Sequence, residues 1–323
     1  MPAYADLPKA AQLRALRSIA KRALPEFNLD EANVSLAYHG YNTTFRVSTS
    51  SGDFALRINV GSKRTEHDIA GEVAWIEALA RETDLPVPTP QRTTEGKHFA
   101  QVNCQELGRT FHCVLYRWLP GRHLSRRIGV ESSEKVGKLL TDLHDHAASF
   151  QFPPCTSRPI LENVLDSLPW RLPNEPFWTD ALDEAQAAMD TLRNQPRIIC
   201  HFDVHLGNVK LHKGEISVFD FDDSLMAWPI LDIAQSMFYM RSKINAESVE
   251  AAMWKGIGRP LESYGLTRAQ FEALVVGRAL LLACDLLGNE NADFRAMTPI
   301  YIERTRKRIE AWRKTGWFDS RIQ

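Results

Sequence analysis

The hydrophobic pattern of this chain changes its period once, and that change limits the folds that the sequence can adopt. From Val34 to about Tyr116, apolar and polar residues alternate in short segments, which is typical of β-strands. After Pro120 the apolar residues recur every three or four positions, which indicates helices. Only residues 197–221 return to short strand-like runs. The sequence therefore predicts an α+β fold in which a small β-rich lobe with one helix precedes a larger, mostly helical lobe that carries a β-hairpin.

The same periodicity places the individual elements. Strands are predicted at 34–38, 43–49, 53–59, 97–104, 111–117, 198–200, 209–212 and 216–221. Helices are predicted at 9–24, 65–81, 131–149, 178–194, 230–242, 246–256, 267–287 and 297–315. In the helix at 65–81, Glu72 falls on the same inward face as Ile69 and Ile76. Because a buried carboxylate is costly without a cationic partner, this position calls for one.

Composition narrows the function classes. The 323 residues are 44% hydrophobic and 24% charged, as in ordinary globular proteins, and 39 basic residues balance 40 acidic ones. A chain with so little net charge lacks the positive field that nucleic-acid binding needs, so we expect no nucleic-acid partner. The longest apolar run, Leu274 to Leu287, is interrupted by Arg278 and Asp285 and is too short to cross a bilayer, so no membrane partner is expected. The five cysteines form no C-x-x-C pair and no targeting segment is visible, which together favour a cytoplasmic protein.

The densest polar cluster is the string HFDVHLGN at 201–208, followed by VFDFDD at 218–223. The segment between His201 and His205 lacks the Glu of a zinc-protease motif. A non-haem iron triad would need a more distant third ligand than the histidines downstream provide. A nucleophile-elbow serine motif and a P-loop are absent from the sequence. These patterns argue against the corresponding hydrolase, oxygenase and P-loop classes.

Phosphoryl transfer fits the cluster. A kinase catalytic loop has a histidine, an aspartate two residues later and an asparagine five residues beyond that aspartate, as in His201, Asp203 and Asn208. A predicted hairpin follows, with Asp220 at the end of its apolar strand. Asp203 can orient the acceptor hydroxyl and relieve it of its proton, while Asn208 and Asp220 offer the oxygen ligands that Mg²⁺ prefers.

The string HFDVHLGNVKLHKGEISVFDFDDSLMAWPILDIAQ closely resembles the aminoglycoside phosphotransferase and choline kinase superfamily, the phosphotransferase enzyme family. Its D-F-D-D segment is most similar to the branch of bacterial stress-response kinase A. The resemblance implies a protein-kinase-like bilobal fold, the use of ATP and Mg²⁺, and phosphorylation of hydroxyl groups on small molecules or, in a few members, on proteins. It also implies an N-terminal helical segment at 1–34, a nucleotide-binding lobe at 35–116, and a hinge with a helical lobe at 117–323 that holds the acceptor site.

Upstream segments resemble the nucleotide-binding motifs of kinases. Phe54-Ala55-Leu56-Arg57 resembles the V-A-I-K strand, which would place Ala55 over the adenine and Arg57 in the position of the lysine. Since alternation puts Arg57 on one strand face with Ala55, it could meet the phosphates and also pair with the inward Glu72. Arginine presents a wider fork than lysine at this position.

Other nucleotide contacts are implied by the resemblance alone. The segment from His39 to Phe45 would form the phosphate loop, with contacts from Gly40, Asn42 and Thr43. The segment from Tyr116 to Gly121 resembles the hinge, whose backbone at Arg117, Trp118 and Leu119 would pair with the adenine edge. The sequence departs from the family pattern at Phe202, which replaces a glycine, and at Leu206, which replaces a proline.

The remaining polar residues are interpreted as supports of the loop, as possible ligand contacts or as structural residues. His201 and His205 are expected to brace the loop, and Asp232 to bond its backbone from the start of a helix. Asp222 and Asp223 are possible substrate or metal contacts, or else structural loop residues. Because positions two apart on a helix point to nearly opposite sides, Asp142, His144 and His146 are interpreted as a solvated helix end rather than a metal cluster.

We therefore expect an ATP-dependent phosphotransferase that acts on a small-molecule hydroxyl, such as that of an amino alcohol, an amino acid or an aminoglycoside-like compound. Asp222, Asp223 and Glu262 could attract a cationic acceptor. One alternative is a Ser/Thr protein kinase that resembles stress-response kinase A. Another, motivated by Arg57 in the lysine position, is a catalytically silent nucleotide-binding protein. The oligomeric state is not predicted.

Overall fold

Alternating apolar residues build the sheet of the first of two units. The computed structural model describes residues 4, 7–30, 32–61, 64–124, 129–242, 245–289 and 292–323. Unit one comprises Met1–Pro120 and Phe150–Arg158. Its six antiparallel strands are β1 (Asn33–His39), β2 (Thr43–Thr49), β3 (Gly52–Ile58), β4 (Pro90–Gln91), β5 (Ala100–Cys104) and β6 (Arg109–Arg117). They are ordered β1-β2-β3-β6-β4, with β5 also paired to β6.

Helix α1 (Lys9–Ala23) shares the hydrophobic core of this sheet. Its inward residues Leu16 and Ile19 are buried together with Phe45, Val47 and Leu56 of the strands. The helix is amphipathic, as its sequence predicts, and its apolar stripe is covered by the sheet. The N-terminal helix therefore contributes to the same core as strands β2 and β3.

Helix α2 (Glu66–Glu82) begins with a capping box, in which Thr65 and Asp68 satisfy each other's backbone N–H groups. One side of the helix is covered by the returning segment Phe150–Arg158, where the Ser157 N–H donates to the carbonyl of His67. A side chain at Gly71 would lie 2.0 Å from the Ser157 carbonyl oxygen, so only glycine permits this approach. The result is a helix buried on most of its surface, including Glu72.

Unit two, Gly121–Ser149 with Pro159–Gln323, is mostly helical. Its helices are α3 (Val130–Ala147), α4 (Pro176–Asp190), α5 (Pro229–Met240), α6 (Ala246–Ile257), α7 (Arg268–Leu287) and α8 (Ala292–Thr315). One small sheet has the order β10-β9-β7, from β7 (Arg122–His123), β9 (Val209–His212) and β10 (Glu215–Val218). A second pairs β8 (Ile198–Cys200) with β11 (Leu225–Ala227).

Helices α3 and α6 pack closely because each has a glycine that lies against the backbone of the other helix. A Cβ atom at Gly137 would lie 2.1 Å from the carbonyl oxygen of Met253, and one at Gly256 would lie 1.9 Å from that of Glu134. Both distances are far below van der Waals contact. The glycines that weaken these helices locally are therefore what allows them to pack.

Each predicted element is present, although several bounds differ: α4 ends at Asp190 rather than at 194, and β5 begins at Ala100 rather than at 97. Strand β10 ends at Val218 rather than at 221, because the chain then turns and Asp220 has a left-handed φ of 67°. Helix α8 begins at Ala292, before the predicted 297, and continues through Pro299. Strands β4, β7 and β11 have two or three residues, too few to show a period. Among the described helices, none has the length and apolar character needed to cross a membrane.

Candidate active site

The loop between β8 and β9 carries the predicted catalytic sequence, and Asp232 fixes its backbone. Asp232 lies in the first turn of α5 and is fully buried. Its Oδ2 accepts from the N–H of His201 at 3.1 Å, and its Oδ1 accepts from the N–H of Phe202 at 3.0 Å. Phe202 has a left-handed φ of 62°, a strained conformation for a bulky residue and one that suits the glycine of the family pattern. These two hydrogen bonds hold the loop in that conformation.

His201 braces the loop from inside. Its Nδ1 accepts from the N–H of Asp203 at 3.3 Å, and its Nε2 lies 3.2 Å from the carbonyl oxygen of Phe219. This pattern requires the neutral ring with its proton on Nε2. Burial lowers the pKa of His201, although the nearby carboxylates of Asp232 and Asp203 oppose the shift. His201 therefore acts as a neutral spacer between the loop and the segment that follows β10.

Three side chains surround the carboxylate of Asp203. Oδ2 accepts from Nδ2 of Asn208 at 2.8 Å and lies 3.4 Å from Nε2 of His205, while Oδ1 lies 3.3 Å from Nη2 of Arg278. Since Nδ1 of His205 accepts from the Gly207 N–H, its Nε2 is the protonated nitrogen that faces Asp203. Burial opposes ionisation, but His205 and Arg278 outweigh it and lower the pKa of Asp203. The carboxylate is therefore ionised and fixed in orientation.

Arg278 and Tyr239 were not predicted as site residues. Arg278 lies in α7, and its Nη2 also donates to the hydroxyl oxygen of Tyr239 in α5 at 2.8 Å. The ring of Tyr239 packs against that of His205, with 5.0 Å between centroids, and burial raises the pKa of its hydroxyl to about 12. The sequence signal was the interruption of the apolar run of α7 by an arginine, since a cation on a buried helix face needs a partner.

The segments that carry Asn208 and Asp220 lie side by side. The Phe219 N–H donates to the carbonyl oxygen of Asn208 at 3.0 Å, and Asp220 is the next residue after Phe219. Because Nδ2 of Asn208 is bonded to both the carbonyl and the carboxylate of Asp203, its Oδ1 is directed away from them. Asp220 is exposed. A carboxylate and an amide oxygen form the hard donor set that Mg²⁺ prefers, so these two residues fit a divalent cation.

The next two acidic residues differ from each other. Asp222 is buried, with 9% of its surface exposed, whereas Asp223 is exposed. Asp223 contributes negative potential at Tyr239 and Arg278. It therefore lies within electrostatic range of the Asp203 cluster. Glu262 instead lines a cavity of about 540 Å³ between α6 and the start of α7, whose described lining residues include neither Asp203 nor Asp223.

His144 corrects one sequence interpretation. It is buried rather than solvated, and its Nε2 lies 2.9 Å from Oδ2 of Asp232. The apolar face of α3 explains this placement, because His144 follows Leu140 by four residues and precedes Ala147 by three. Cys200 lies beside them, but the oxygens of Asp232 already accept from His144 and two backbone N–H groups, so the three residues form a structural cluster rather than an open metal site.

In unit one, the predicted partner of Glu72 is confirmed. Nη1 and Nη2 of Arg57 bind the two oxygens of Glu72 at 2.6 and 2.7 Å, and Nε donates to Asn59 at 3.2 Å. The Tyr116 hydroxyl, which was not predicted to take part, donates to the same carboxylate at 2.9 Å. Both ions are almost completely buried. The pair therefore fixes α2 to β3. It also places the positive charge of Arg57 on the same strand face as the half-buried Ala55.

The predicted phosphate loop joins β1 to β2. Gly40 donates its N–H to the Asn42 carbonyl, and Oδ1 of Asn42 accepts from the N–H of Val60. Thr43 is fully buried, with its hydroxyl 2.8 Å from Nδ1 of His39. The Asn42 side chain therefore fixes the shape of the loop.

The backbone of the predicted hinge, which was expected to pair with adenine, already makes hydrogen bonds within the protein. The N–H of Arg117 donates to the Thr89 carbonyl, and that of Trp118 donates to the Asp53 carbonyl. Both donors are used within the protein, so any pairing of this segment with adenine must use other atoms. Leu119 follows directly and is half-buried.

Comparison with known proteins shows the family and the fold of this chain. The phosphotransferase enzyme family model matches residues 37–263. An uncharacterized protein of Synechocystis sp. is 27% identical over 233 residues, which cover 69% of this chain but only 60% of that protein. Among solved structures, a microcompartment-associated aminopropanol kinase has a TM-score of 0.78 at 18% identity, covering 95% of this chain and 99% of the other. An amicoumacin kinase bound to AMP-PNP and Ca²⁺ has a TM-score of 0.72 at 22% identity, covering 87% and 88%. The chain belongs to the phosphotransferase enzyme family and has its kinase-like fold.

Proposed function

We propose that this protein transfers the γ-phosphate of ATP to a hydroxyl group of a small molecule. The observation that carries the proposal is the environment of Asp203, whose carboxylate is kept ionised and is oriented by Asn208, His205 and Arg278. An ionised, fixed carboxylate next to a hard-cation ligand pair is the arrangement that phosphoryl transfer to an alcohol needs. The named structural relatives, an aminopropanol kinase and an amicoumacin kinase, support a small-molecule acceptor.

Asp203 would orient the acceptor hydroxyl and accept its proton. The acceptor oxygen forms a bond to the γ-phosphorus as the bond from that phosphorus to the β,γ-bridging oxygen breaks, and ADP leaves with the electron pair. The proton passes from the hydroxyl to Asp203 and then to solvent. Asn208 and Asp220 would hold Mg²⁺, and a cation bound there supplies positive charge that offsets the charge of the transferring phosphate. His201, His205 and Asp232 would act only by holding the loop.

In unit one, we assign the nucleotide contacts to the residues that the sequence singled out. Arg57, oriented by Glu72, would contact the phosphates, and the loop of Gly40, Asn42 and Thr43 would lie against them. Ala55 would pack on the adenine, next to the segment formed by Arg117, Trp118 and Leu119. The ATP analogue and divalent cation in the amicoumacin kinase structure support this use of a nucleotide and a metal. We also propose a cytoplasmic location, because all five cysteines are free, as is usual in a reducing compartment.

The test measures Mg²⁺-dependent transfer from γ-labelled ATP into an extract that contains metabolites and proteins. Wild-type protein should place label in the small-molecule fraction, and Asp203→Asn should reduce this transfer by a factor of about 100 or more. Asp142→Asn, on the exposed side of α3 where it pairs with Lys138, is the matched control and should leave transfer unchanged.

Other outcomes decide between the alternatives. Label that enters only protein would overturn the small-molecule assignment in favour of a Ser/Thr protein kinase. ATP binding without transfer by either form would instead indicate a catalytically silent nucleotide-binding protein.

A further inference from the structure

Arg278 has a donor that no described residue satisfies. A guanidinium offers five N–H groups, but both hydrogen bonds of Arg278, to Asp203 and to Tyr239, use the same terminal nitrogen. Its Nε is buried without a hydrogen-bond partner among the described residues. Only 10% of the side chain is exposed. An unsatisfied N–H on a buried cation carries a large desolvation cost, which indicates that another acceptor belongs there.

Asp203 engages only one nitrogen of this guanidinium. The distance of 3.3 Å from Nη2 to Oδ1 is longer than the range of about 2.7–2.9 Å for strong charge-assisted hydrogen bonds. Tyr239 adds a second donor, because its oxygen accepts from Arg278 and its own proton must point elsewhere. Arg278 and Tyr239 therefore present two N–H or O–H donors next to the carboxylate that would receive the acceptor's proton.

We propose that Arg278 binds a carboxylate of the acceptor, so that the acceptor is a hydroxylated carboxylic acid, such as a hydroxyamino acid, rather than a simple amino alcohol. This inference rests on the proposed phosphotransferase function and narrows its substrate class. A planar guanidinium matches a carboxylate in shape and charge, and a bound carboxylate would satisfy the buried Nε. The negative potential of Asp223 in the same region suits the ammonium group of an amino acid.

The test uses substrate pairs that differ only in the carboxylate: L-threonine with 1-amino-2-propanol, L-serine with ethanolamine, and L-homoserine with 3-amino-1-propanol. Within the pair that is phosphorylated, wild type should favour the carboxylate-bearing member in kcat/KM by a factor of about ten or more. Arg278→Gln should reduce this preference about 10- to 100-fold, and Arg278→Lys, which keeps the charge but not the fork, should reduce it less. Thermal unfolding confirms that each variant is folded.

The preference ratio separates this role from two others. If Arg278 only positions Asp203, or binds the γ-phosphate of ATP, the variants lower both members of a pair equally and the ratio does not change. That result, or a wild-type preference for the amino alcohols, overturns the inference while leaving the kinase function intact. If no pair is phosphorylated, the labelled product from the extract is isolated, and a product without a carboxylate by mass spectrometry likewise overturns it. An absence of any labelled product refutes the proposed function itself.

Discussion

Replacing Glu72 by alanine should destabilise unit one more than any surface substitution would, because the change leaves a buried cation without its counter-charge. Arg57 and Glu72 have side chains that are 6% and 1% exposed, and their bidentate contact is reinforced by the Tyr116 hydroxyl. Removing one partner of a buried ion pair costs about 3–5 kcal/mol. The Tyr116 hydroxyl also loses its acceptor, which adds about 1 kcal/mol. We therefore expect a loss of about 4 kcal/mol or more in the free energy of unfolding.

A matched double variant separates the charge from the packing. Replacing both Arg57 and Glu72 by methionine removes both charges and keeps most of the volume, so stability should stay within about 2 kcal/mol of wild type. Glu72→Gln keeps the shape and should fall between the two. Urea unfolding gives the free energies, and hydrogen exchange at the amides of β3 and α2 assigns the change to this unit. If Glu72→Ala costs less than about 1 kcal/mol, or the double variant costs as much as the single one, the ion-pair argument is refuted.

Three further outcomes follow from the site and its support. Arg278→Gln removes a charge that lowers the pKa of Asp203. The acid limb of the pH profile of kcat/KM should therefore move to higher pH. A limb that does not move would mean that Arg278 does not act on this carboxylate. At Phe202, with its φ of 62°, the glycine variant should be more stable than the alanine variant by about 1 kcal/mol in urea unfolding, and the reverse order would contradict the strain argument. Gly137→Ala should lower the free energy of unfolding by about 2 kcal/mol, because the new methyl group meets the Met253 carbonyl; an increase, as on an exposed helix face, would show that α3 and α6 can separate freely.

Sequence periodicity was sufficient for the longer helices and strands and for the Arg57–Glu72 pair. Alternation placed Arg57 on one strand face, and helical spacing placed Glu72 on the buried side of α2, so each position required the other. The pair was predictable because it depends on a local period and on the cost of burying a charge. The bond from Asp232 to the loop backbone was instead expected from the family resemblance.

The contacts that sequence missed come from distant segments. Arg278 and Tyr239 lie on α7 and α5, and nothing in their local sequences states that the packing of these helices brings them to Asp203. The Tyr116 hydroxyl was missed because a strand tyrosine is an ordinary core residue until its acceptor is known. His144 was misplaced because charge pattern was given more weight than its position on the apolar face of α3.

The attachment of the loop between β8 and β9 to α5 also has a consequence for the rate of folding. The left-handed backbone at Phe202 is unfavourable for an isolated segment. The Phe202 N–H donates to Asp232, which belongs to a helix about 30 residues later in the chain. The hairpin of β9 and β10 can form early because its contacts are local, whereas the loop needs α5 to be docked first. During refolding, the far-ultraviolet signal of helices and strands should therefore recover before the proposed phosphotransferase activity. The geometry around Asp203 belongs to the assembled helical unit and not to the segment that carries the motif alone.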